Sequence, residues 1–353
     1  MSFLLHKTLL LCVIASAISG CSSFSYYLHA INGHANILNQ QQPLHEVVNN
    51  PDTSEAVRTA LLDFEQAKRF AVEVLQLPDN DSYRYYADIG REYAVWNVIA
   101  TPALSIEARQ WCFLIAGCFN YRGFFHEDKA NDYARQLSRD GFDTYVAGAR
   151  AYSTLGWFDD PLLNTMLLQD EAGRIGLLFH ELAHQKIYFD DDPAFNEAFA
   201  VFIEQEGVKR WLTAHGKHDL AARYRQSLQR RAQFHALLLD TRAQLAELYG
   251  SDRPDIVKRQ IKSQLFRELT QKYQLLKQQW DGYAGYDAWM AQPLNNAHLA
   301  LIATYREQVV LFEQLLACLD GDLTTFYQHV RQLETSGPAE RKQALQKLAA
   351  DCH

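Results

Sequence analysis

Apolar residues recur at intervals of three and four in two stretches near the beginning of the chain, residues 23–40 and 53–76. This spacing places them on one face of a helix, and Pro51-Asp52-Thr53 before the second stretch is a typical helix start. The same spacing dominates the second half, where a turn at residues 250–254 would join two long helices in a hairpin. The helices predicted there span residues 171–189, 194–214, 220–249 and 256–280.

Between these helical regions the pattern changes to runs of aromatic and β-branched residues, which favour strands. Residues 83–125 contain several such runs, separated at Thr101-Pro102 and other turn residues, and predict an antiparallel meander. A short helix over residues 126–139 precedes a further strand, residues 142–158, either continuous or bent at Gly148. The prediction is an α+β, mostly helical fold with a small antiparallel sheet and a C-terminal helical region.

The composition is that of a globular protein, with 353 residues of which 48% are hydrophobic and 22% charged. The net charge of −8 comes from 34 basic and 42 acidic residues. It argues against nucleic acid as a partner, because surfaces that bind nucleic acids are basic. The basic cluster Arg223, Arg225, Arg230 and Arg231 is predicted to lie on the outer, solvated face of its helix.

Near the start of the chain, the basic residue Lys7 is followed by an apolar run over residues 8–19. This run is too short to span a bilayer, and the pattern is typical of a secretory signal peptide. Ile18-Ser19-Gly20-Cys21 resembles a bacterial lipobox, in which cleavage before the cysteine is followed by lipidation of its thiol. We therefore expect a lipoprotein anchored through Cys21 to the periplasmic face of the outer membrane, which Ser22 favours. The alternative is an ordinary signal and a soluble periplasmic protein. The predicted division is a signal peptide (1–20), a core (21–215) and a C-terminal helical region (216–353), the last two either separate or packed as one unit.

Cysteine usage agrees with export to an oxidising compartment, because four cysteines remain once the signal peptide and Cys21 are set aside. We favour the disulfides Cys112–Cys118 and Cys318–Cys352, since each closes the shorter loop. The other two connectivities, and four free buried thiols, stay open as alternatives. The spacing is not that of a zinc-binding cysteine cluster.

Residues 180–184 read His-Glu-Leu-Ala-His, an H-E-x-x-H sequence within the predicted helix 171–189. A spacing of four places His180 and His184 on one face, one turn apart, so that both imidazoles can bind a single zinc ion. Glu181 then projects beside the metal, where a carboxylate can act as general base. The sequence therefore predicts one catalytic Zn2+ per chain.

A catalytic zinc needs a third protein ligand and an open fourth position. Glu197 in the next predicted helix is the favoured ligand, because the short loop after His184 would fold this helix back onto the first. Glu204 lies seven residues further along the same helix face and is expected to orient a histidine. The carboxylates that compete with Glu197 are Asp190, Asp191, Asp192, Glu204 and Glu206.

Two segments of the chain are similar to the gluzincin metallopeptidases, aminopeptidases in particular. They are His180-Glu181-Leu182-Ala183-His184-Gln185 and Asn196-Glu197-Ala198-Phe199-Ala200. Most of the chain resembles a family of bacterial lipoproteins described as predicted aminopeptidases. The resemblance implies a zincin-like catalytic core and a zinc peptidase. Two departures from the wider gluzincin pattern are a short spacing of twelve residues before Glu197 and Val201 in place of an acidic residue. The other shared segments are Val95-Trp96-Asn97-Val98, Trp111-Cys112-Phe113, Tyr121-Arg122-Gly123, residues 151–158 and Leu294-Asn295-Asn296-Ala297.

The resemblance also implies where a peptide substrate would lie. Residues 151–158 have the position of the zincin edge strand, so Tyr152, Ser153 and Thr154 are candidates for main-chain pairing with a peptide, with a plain core strand as the alternative. The glutamate with which larger aminopeptidases hold the substrate amine has no counterpart here, and Asp159 and Asp160 are the nearby carboxylates. The candidates for an oxyanion donor are Tyr305 and His298, followed by Tyr152 and Tyr188.

Three functions are consistent with these residues. The first is a periplasmic zinc aminopeptidase, in which Glu181 takes a proton from the attacking water. The second is an endopeptidase that cleaves proteins of the cell envelope. The third is a lipid-anchored binding or assembly protein with a structural zinc, although such a site has four protein ligands and would leave Glu181 without a role. The expected partners are a peptide or protein substrate and the membrane that holds the lipid anchor.

Overall fold

The computed structural model describes residues 31–113, 117–151, 159–300, 302 and 306–350. As the sequence predicts, the fold is α+β and mostly helical. The signal peptide and Cys21 lie outside the described residues. No helix within the described ranges combines the length and the apolar character needed to span a membrane.

The helices and strands follow one another in three groups, helices first, then most strands, then helices again. The strands are β1 (Gln41–Pro43), β2 (Tyr85–Ala87), β3 (Val95–Pro102), β4 (Trp111–Phe113), β5 (Gly117–Phe119), β6 (Arg122–Phe124), β7 (Phe142–Ala149) and β8 (Leu162–Leu163). The helices are α1 (residues 31–38), α2 (Leu44–Asn49), α3 (Glu55–Glu73), α4 (Glu127–Arg139), α5 (Glu171–Lys186), α6 (Pro193–Ala214), α7 (His218–Gly250), α8 (Asp255–Gln279), α9 (Asp287–Met290), α10 (Asn296–Ala300), α11 (Arg306–Cys318), α12 (Leu323–Gln332) and α13 (Pro338–Ala350).

Strand β3 is the centre of a three-stranded antiparallel sheet, between β6 and β7. Antiparallel pairing is as predicted, but the order of a simple meander is wrong because β4 and β5 form a separate two-stranded sheet. Of the two alternatives for residues 142–158, the strand has no bend at Gly148, and β7 runs through that residue to its end at Ala149. Residues 152–158 of the predicted strand lie outside the described residues. The ring of Tyr93 covers Gly148 so closely that an added Cβ would lie 2.4 Å from it.

A disulfide joins Cys112 and Cys118, which face each other across β4 and β5. This is the local pairing preferred from the sequence. Cys318 is also disulfide-bonded. Its predicted partner, Cys352, lies outside the described residues.

A third small sheet has the order β1-β2-β8, with β2 antiparallel to β1 and parallel to β8. The sequence analysis does not anticipate it as a sheet. Its strands have two or three residues each, too few for an alternating pattern to be recognised. It joins the segment before α3 to the segment that leads into α5.

The main hydrophobic core includes residues from both sides of the predicted boundary at residues 215–217. Phe199 and Phe202 of α6 lie in this core, and their rings contact Phe312 of α11 and Phe326 of α12. Helices α7 and α8 pair as the predicted hairpin around a second cluster that contains Phe234. The C-terminal helices α11–α13 therefore pack against the helix that carries Glu197.

Candidate metal-binding site

Helices α5 and α6 form a helical hairpin that positions the candidate site. Asp170 caps α5 by accepting a hydrogen bond from the N–H of Gly173 at 2.8 Å, and Asp192 caps α6 in the same way through Phe195 at 3.1 Å. Pro193 occupies the first turn of α6, where its missing N–H costs nothing. These caps fix the start of each helix, and Asp192 lies at the end of the six-residue connection between α5 and α6.

The two helices approach closely because of a small residue at the contact. An added Cβ on Gly176 of α5 would lie 3.1 Å from Cγ of Glu204 and 3.2 Å from Cγ2 of Val208, both on α6. This glycine lies one turn before His180. The close approach therefore brings Glu204 to the histidine.

His180, His184 and Glu197 form the one group among the described residues whose histidine and carboxylate atoms converge as metal ligands. The Nε2 atoms of His180 and His184 are 3.2 Å apart. The carboxylate of Glu197 lies 3.7 Å from Nε2 of His180 and 3.5 Å from Nε2 of His184. Three donor atoms thus face a common point, and the group could hold a metal ion.

Glu204 lies on the other side of His180, with its Oε2 atom 3.3 Å from Nδ1. A carboxylate at Nδ1 favours the tautomer with its proton there and leaves the lone pair of Nε2 free for a metal. Arg231 of α7 lies 3.7 Å from the other oxygen of Glu204. Burial lowers the pKa of His180, but the hydrogen bond to Glu204 and the charges of nearby glutamates outweigh it and raise the pKa to about 9.

His184 is the more buried of the two histidines, with 7% of its side chain exposed. Burial and the charge of His180 lower its pKa to about 3, so this imidazole is neutral and suited to metal binding. Its Nδ1 atom is buried and has no hydrogen-bond partner among the described residues. The ring of Tyr188 lies edge-on to it, with centroids 6.2 Å apart.

Glu181 lies next to the histidines but is not part of the ligand group. Burial raises its pKa to about 7, and the charge of His180 opposes this change. The charges of Glu197 and Asp160 raise the pKa further. A carboxylate with a pKa near neutrality can accept and then return a proton, which is the property of a general base and acid.

Asp160 and Tyr83 form a buried contact beside Glu181. The backbone N–H of Tyr83 donates to the carbonyl of Asp160 at 2.7 Å, and Tyr83 has a left-handed backbone, with φ of 65°. Both residues are under 7% exposed. Burial and the charges of Glu181 and Asp160 raise the pKa of Tyr83 well above its usual value. The hydrogen bond from Tyr83 holds the backbone of Asp160 in this buried position, from which its charge acts on Glu181.

The connection between α5 and α6 is held from two sides. The side-chain amide of Asn196 accepts from the N–H of Phe189 at 2.9 Å and donates to its carbonyl at 2.8 Å. Arg341 of α13 donates to Asp192 at 2.9 Å and to Asp191 at 3.0 Å, and 2% of its side chain is exposed. Nothing in the local sequence pattern points to Arg341, since it lies 149 residues from Asp192.

A sequence model of the family described as "Putative aminopeptidase" matches residues 25–345. The chain belongs to this family. The match covers α5, α6 and every residue of the candidate metal group. Neither the curated proteins nor the solved structures contain a significant match to the chain. Membership of this putative aminopeptidase family supports peptidase activity.

The carboxylates that compete with Glu197 have other contacts in this family member. Glu206 pairs with Lys209 and Arg210 at 2.9 and 2.7 Å. Asp191 and Asp192 contact Arg341, and Asp190 is exposed in the loop. Glu204, as described, contacts the far nitrogen of His180.

The other predicted site residues fall into two groups. Tyr152, Ser153, Thr154 and Tyr305 lie outside the described residues. Asp159 is exposed, and it is its neighbour Asp160 whose charge acts on Glu181.

His298 is directed at the sheet. Its ring stacks on Tyr145 of β7 with centroids 4.2 Å apart, and Nδ1 lies 3.1 Å from the side-chain oxygen of Asn295. The neighbouring Asn296 donates to the carbonyls of Ala103 and Ser105 at 3.2 and 2.9 Å. These contacts indicate that this segment of the family pattern ties α10 to β3 and β7.

Proposed function

We propose that this protein is a zinc-dependent aminopeptidase of the periplasm. The observation that carries the proposal is the convergence of His180, His184 and Glu197, with Glu181 adjacent and outside the ligand group. Membership of the aminopeptidase family supports the same class of reaction. A site with three protein ligands leaves a fourth position for water or substrate, as catalytic zinc sites require.

The spacing of the donor atoms fits zinc. Bonds of about 2.0–2.1 Å in a tetrahedral arrangement place neighbouring ligand atoms roughly 3.3 Å apart. The two Nε2 atoms are 3.2 Å apart, and Oε2 and Oε1 of Glu197 lie 3.7 and 3.5 Å from those of His180 and His184 respectively. One atom from each of the three residues lies within 4.8 Å of the other two. The neutral His184 presents a nitrogen lone pair, whereas His180, whose Nδ1 faces Glu204, would release the proton of Nε2 when the metal binds.

When bound, zinc supplies a Lewis acid that polarises the scissile carbonyl and lowers the pKa of water. Glu181 accepts the proton of the attacking water and then delivers it to the leaving amine. The burial of Glu181, which raises its pKa, favours the uptake of this proton. Glu204 keeps His180 in the orientation and tautomer that the site requires.

Cleavage at a free N-terminus is favoured by the charge around Glu181. The buried carboxylate of Asp160, which is not part of the metal group, acts on Glu181 electrostatically. A protonated substrate amine is attracted to such a surrounding, whereas an acetylated N-terminus gains nothing from it. We therefore favour an aminopeptidase over an endopeptidase.

The proposed location is the periplasmic face of the outer membrane, through lipidation at Cys21. The signal-like segment and its lipobox-like end support it. The disulfide between Cys112 and Cys118 also supports it, since such bonds persist in oxidising compartments.

The test is mass spectrometry of peptides incubated with the zinc-loaded full-length protein and with Glu181→Gln. Each peptide is supplied with a free and with an acetylated N-terminus. Stepwise loss of single residues from free peptides only, abolished in the variant, is the expected result. Internal cuts in both the free and the acetylated peptides would indicate an endopeptidase instead of an aminopeptidase. The absence of any cleavage would favour a binding protein.

A further inference from the structure

A cavity of about 460 Å3 lies between α5 and α7 and reaches the candidate site. His180 and Glu181 line it at the α5 side, and residues of α7 line it from the other. Its volume is in the range of small-ligand sites. The prediction that the basic cluster of α7 faces outward is wrong for Arg231, which is partly buried and contacts Glu204. Arg223 is exposed, as predicted, and also lines the cavity.

Helix α7 runs beside α5 toward the metal group. Lys217, at the start of α7, contacts Glu171 at the start of α5. Arg231, four turns later, contacts Glu204, which in turn contacts His180. Arg223 is eight residues before Arg231, and a helical rise of 1.5 Å per residue separates them by about 12 Å. The cavity therefore has one arginine at its His180 end, in contact with Glu204 on the side of His180 that faces away from the metal group, and one about 12 Å further along α7.

Part of the hydrogen-bonding capacity along the α7 wall is used, since Ser227 donates to the carbonyl of Tyr224 and Arg231 contacts Glu204, but other donors there have no partner among the described residues. The hydroxyl of Tyr224 and the Nη2 atom of Arg231 are buried without a hydrogen-bond partner. Arg223 is exposed in the lining and forms no ion pair among the described residues. Buried donors without partners are costly and rare, and in a cavity they indicate a ligand with acceptor oxygens.

The acidic groups of the lining are already engaged. Asp170 caps α5 through the N–H of Gly173, and Glu204 lies between His180 and Arg231. Glu181 serves the proposed reaction. What remains available to a ligand along α7 is therefore cationic and hydrogen-bond donating.

We propose that this cavity binds a carboxylate of the peptide substrate, with Arg223 as its main partner. The inference rests on the proposed peptidase function and adds a substrate class to it. An extended peptide advances about 3.3–3.6 Å per residue, so a distance of about 12 Å corresponds to three or four residues. The favoured substrates are short peptides that carry a carboxylate three or four residues from the cleaved bond. That carboxylate is either the free C-terminus or an acidic side chain.

The test compares Arg223→Gln with Arg225→Gln, an exposed neighbour on the same helix that does not line the cavity. The substrates are tetrapeptides and pentapeptides with a free or an amidated C-terminus. We expect wild type and Arg225→Gln to prefer the free acid by at least about tenfold in kcat/KM. Arg223→Gln should lose most of that preference. The proposal is overturned if the two variants have equal acid-to-amide ratios for these peptides and also equal glutamate-to-glutamine ratios for the amidated peptides described next.

A further comparison identifies the source of the carboxylate. It uses amidated peptides that have either glutamate or glutamine as their last residue. A preference for glutamate that Arg223→Gln removes assigns the cavity to acidic side chains. A preference confined to the free acid assigns it to the C-terminus.

A binding measurement separates this proposal from the proposed function. Glu181→Gln retains the cavity, and calorimetry gives its Kd for the free-acid and amidated peptides. A Kd for the acid that rises about tenfold on adding Arg223→Gln supports the carboxylate site, even where no peptide is hydrolysed. Hydrolysis of free peptides without that change would leave the peptidase function in place and overturn the carboxylate site.

Discussion

Glu204 contacts the nitrogen of His180 that faces away from the candidate metal group, at 3.3 Å. Glu204 follows Glu197 by seven residues, two helical turns on the same face of α6. One helix therefore provides both a ligand and the residue that orients another ligand. The orientation of the first histidine thus depends on how α6 packs against α5.

Replacing Glu204 with glutamine should weaken metal binding by about 10- to 100-fold, because an amide holds the histidine less firmly than a carboxylate. The measurement is competition for zinc against a chelator of known affinity. Glu206→Gln is the matched control on the same helix, since Glu206 pairs with Lys209 and Arg210 instead. Equal zinc affinity in the two variants would show that Glu204 has no part in the site.

Removal of the metal should lower the melting temperature. A metal present at a thousand times its Kd stabilises the folded state by about 4 kcal/mol. Calorimetry with zinc and with excess chelator measures this difference. His184→Ala, which lacks one ligand, should melt at the same temperature in both conditions. A response to chelator that persists in this variant would place the metal elsewhere.

Arg341→Met should destabilise the fold by about 3–5 kcal/mol, because it leaves Asp192 buried without its cation. Urea unfolding followed by circular dichroism gives the difference in free energy. The neighbouring Lys342 forms an exposed pair with Glu307 at 2.9 Å, so Lys342→Met should change stability by less than about 1 kcal/mol. Similar values for the two variants would contradict the role given to Arg341.

Gly176→Ala should reduce zinc affinity while changing the free energy of unfolding by less than about 1 kcal/mol. The methyl group adds helix propensity but displaces Glu204, whose Cγ would be 3.1 Å away. Gly207→Ala provides the contrast. Its methyl group would lie 2.5 Å from the ring of Phe179, and overpacking there should cost about 1–3 kcal/mol. Unchanged zinc affinity in Gly176→Ala would show that α6 adapts without moving Glu204.

Much of this organisation follows from local sequence patterns. The H-E-x-x-H spacing and the short connection to α6 bring His180, His184 and Glu197 together in the way that helical periodicity indicates. The α7–α8 hairpin follows from its apolar stripe. These features depend on residues within one or two elements.

The remaining features depend on contacts between distant parts of the chain. Arg341 reaches the α5–α6 connection only because α11–α13 fold back on α6. The sequence pattern of α7 predicts a solvated face that contains Arg223 and Arg231. Only the position of α5 in the fold shows that these residues line a cavity. The strands β4 and β5 are aromatic like their neighbours. They pair with each other rather than with β3, and the residue pattern of a single strand does not predict which strand it pairs with.

The contact between Arg341 and Asp192 also sets an order of events. The two helices that carry the ligands are made early, whereas the arginine that fastens the loop between them lies in the last described helix. Until α13 has been made, Asp191 and Asp192 lack their contacts with Arg341, so the connection between α5 and α6 lacks the restraint that the last described helix supplies. We therefore expect a chain that ends before residue 341 to leave this connection less ordered than the whole chain does.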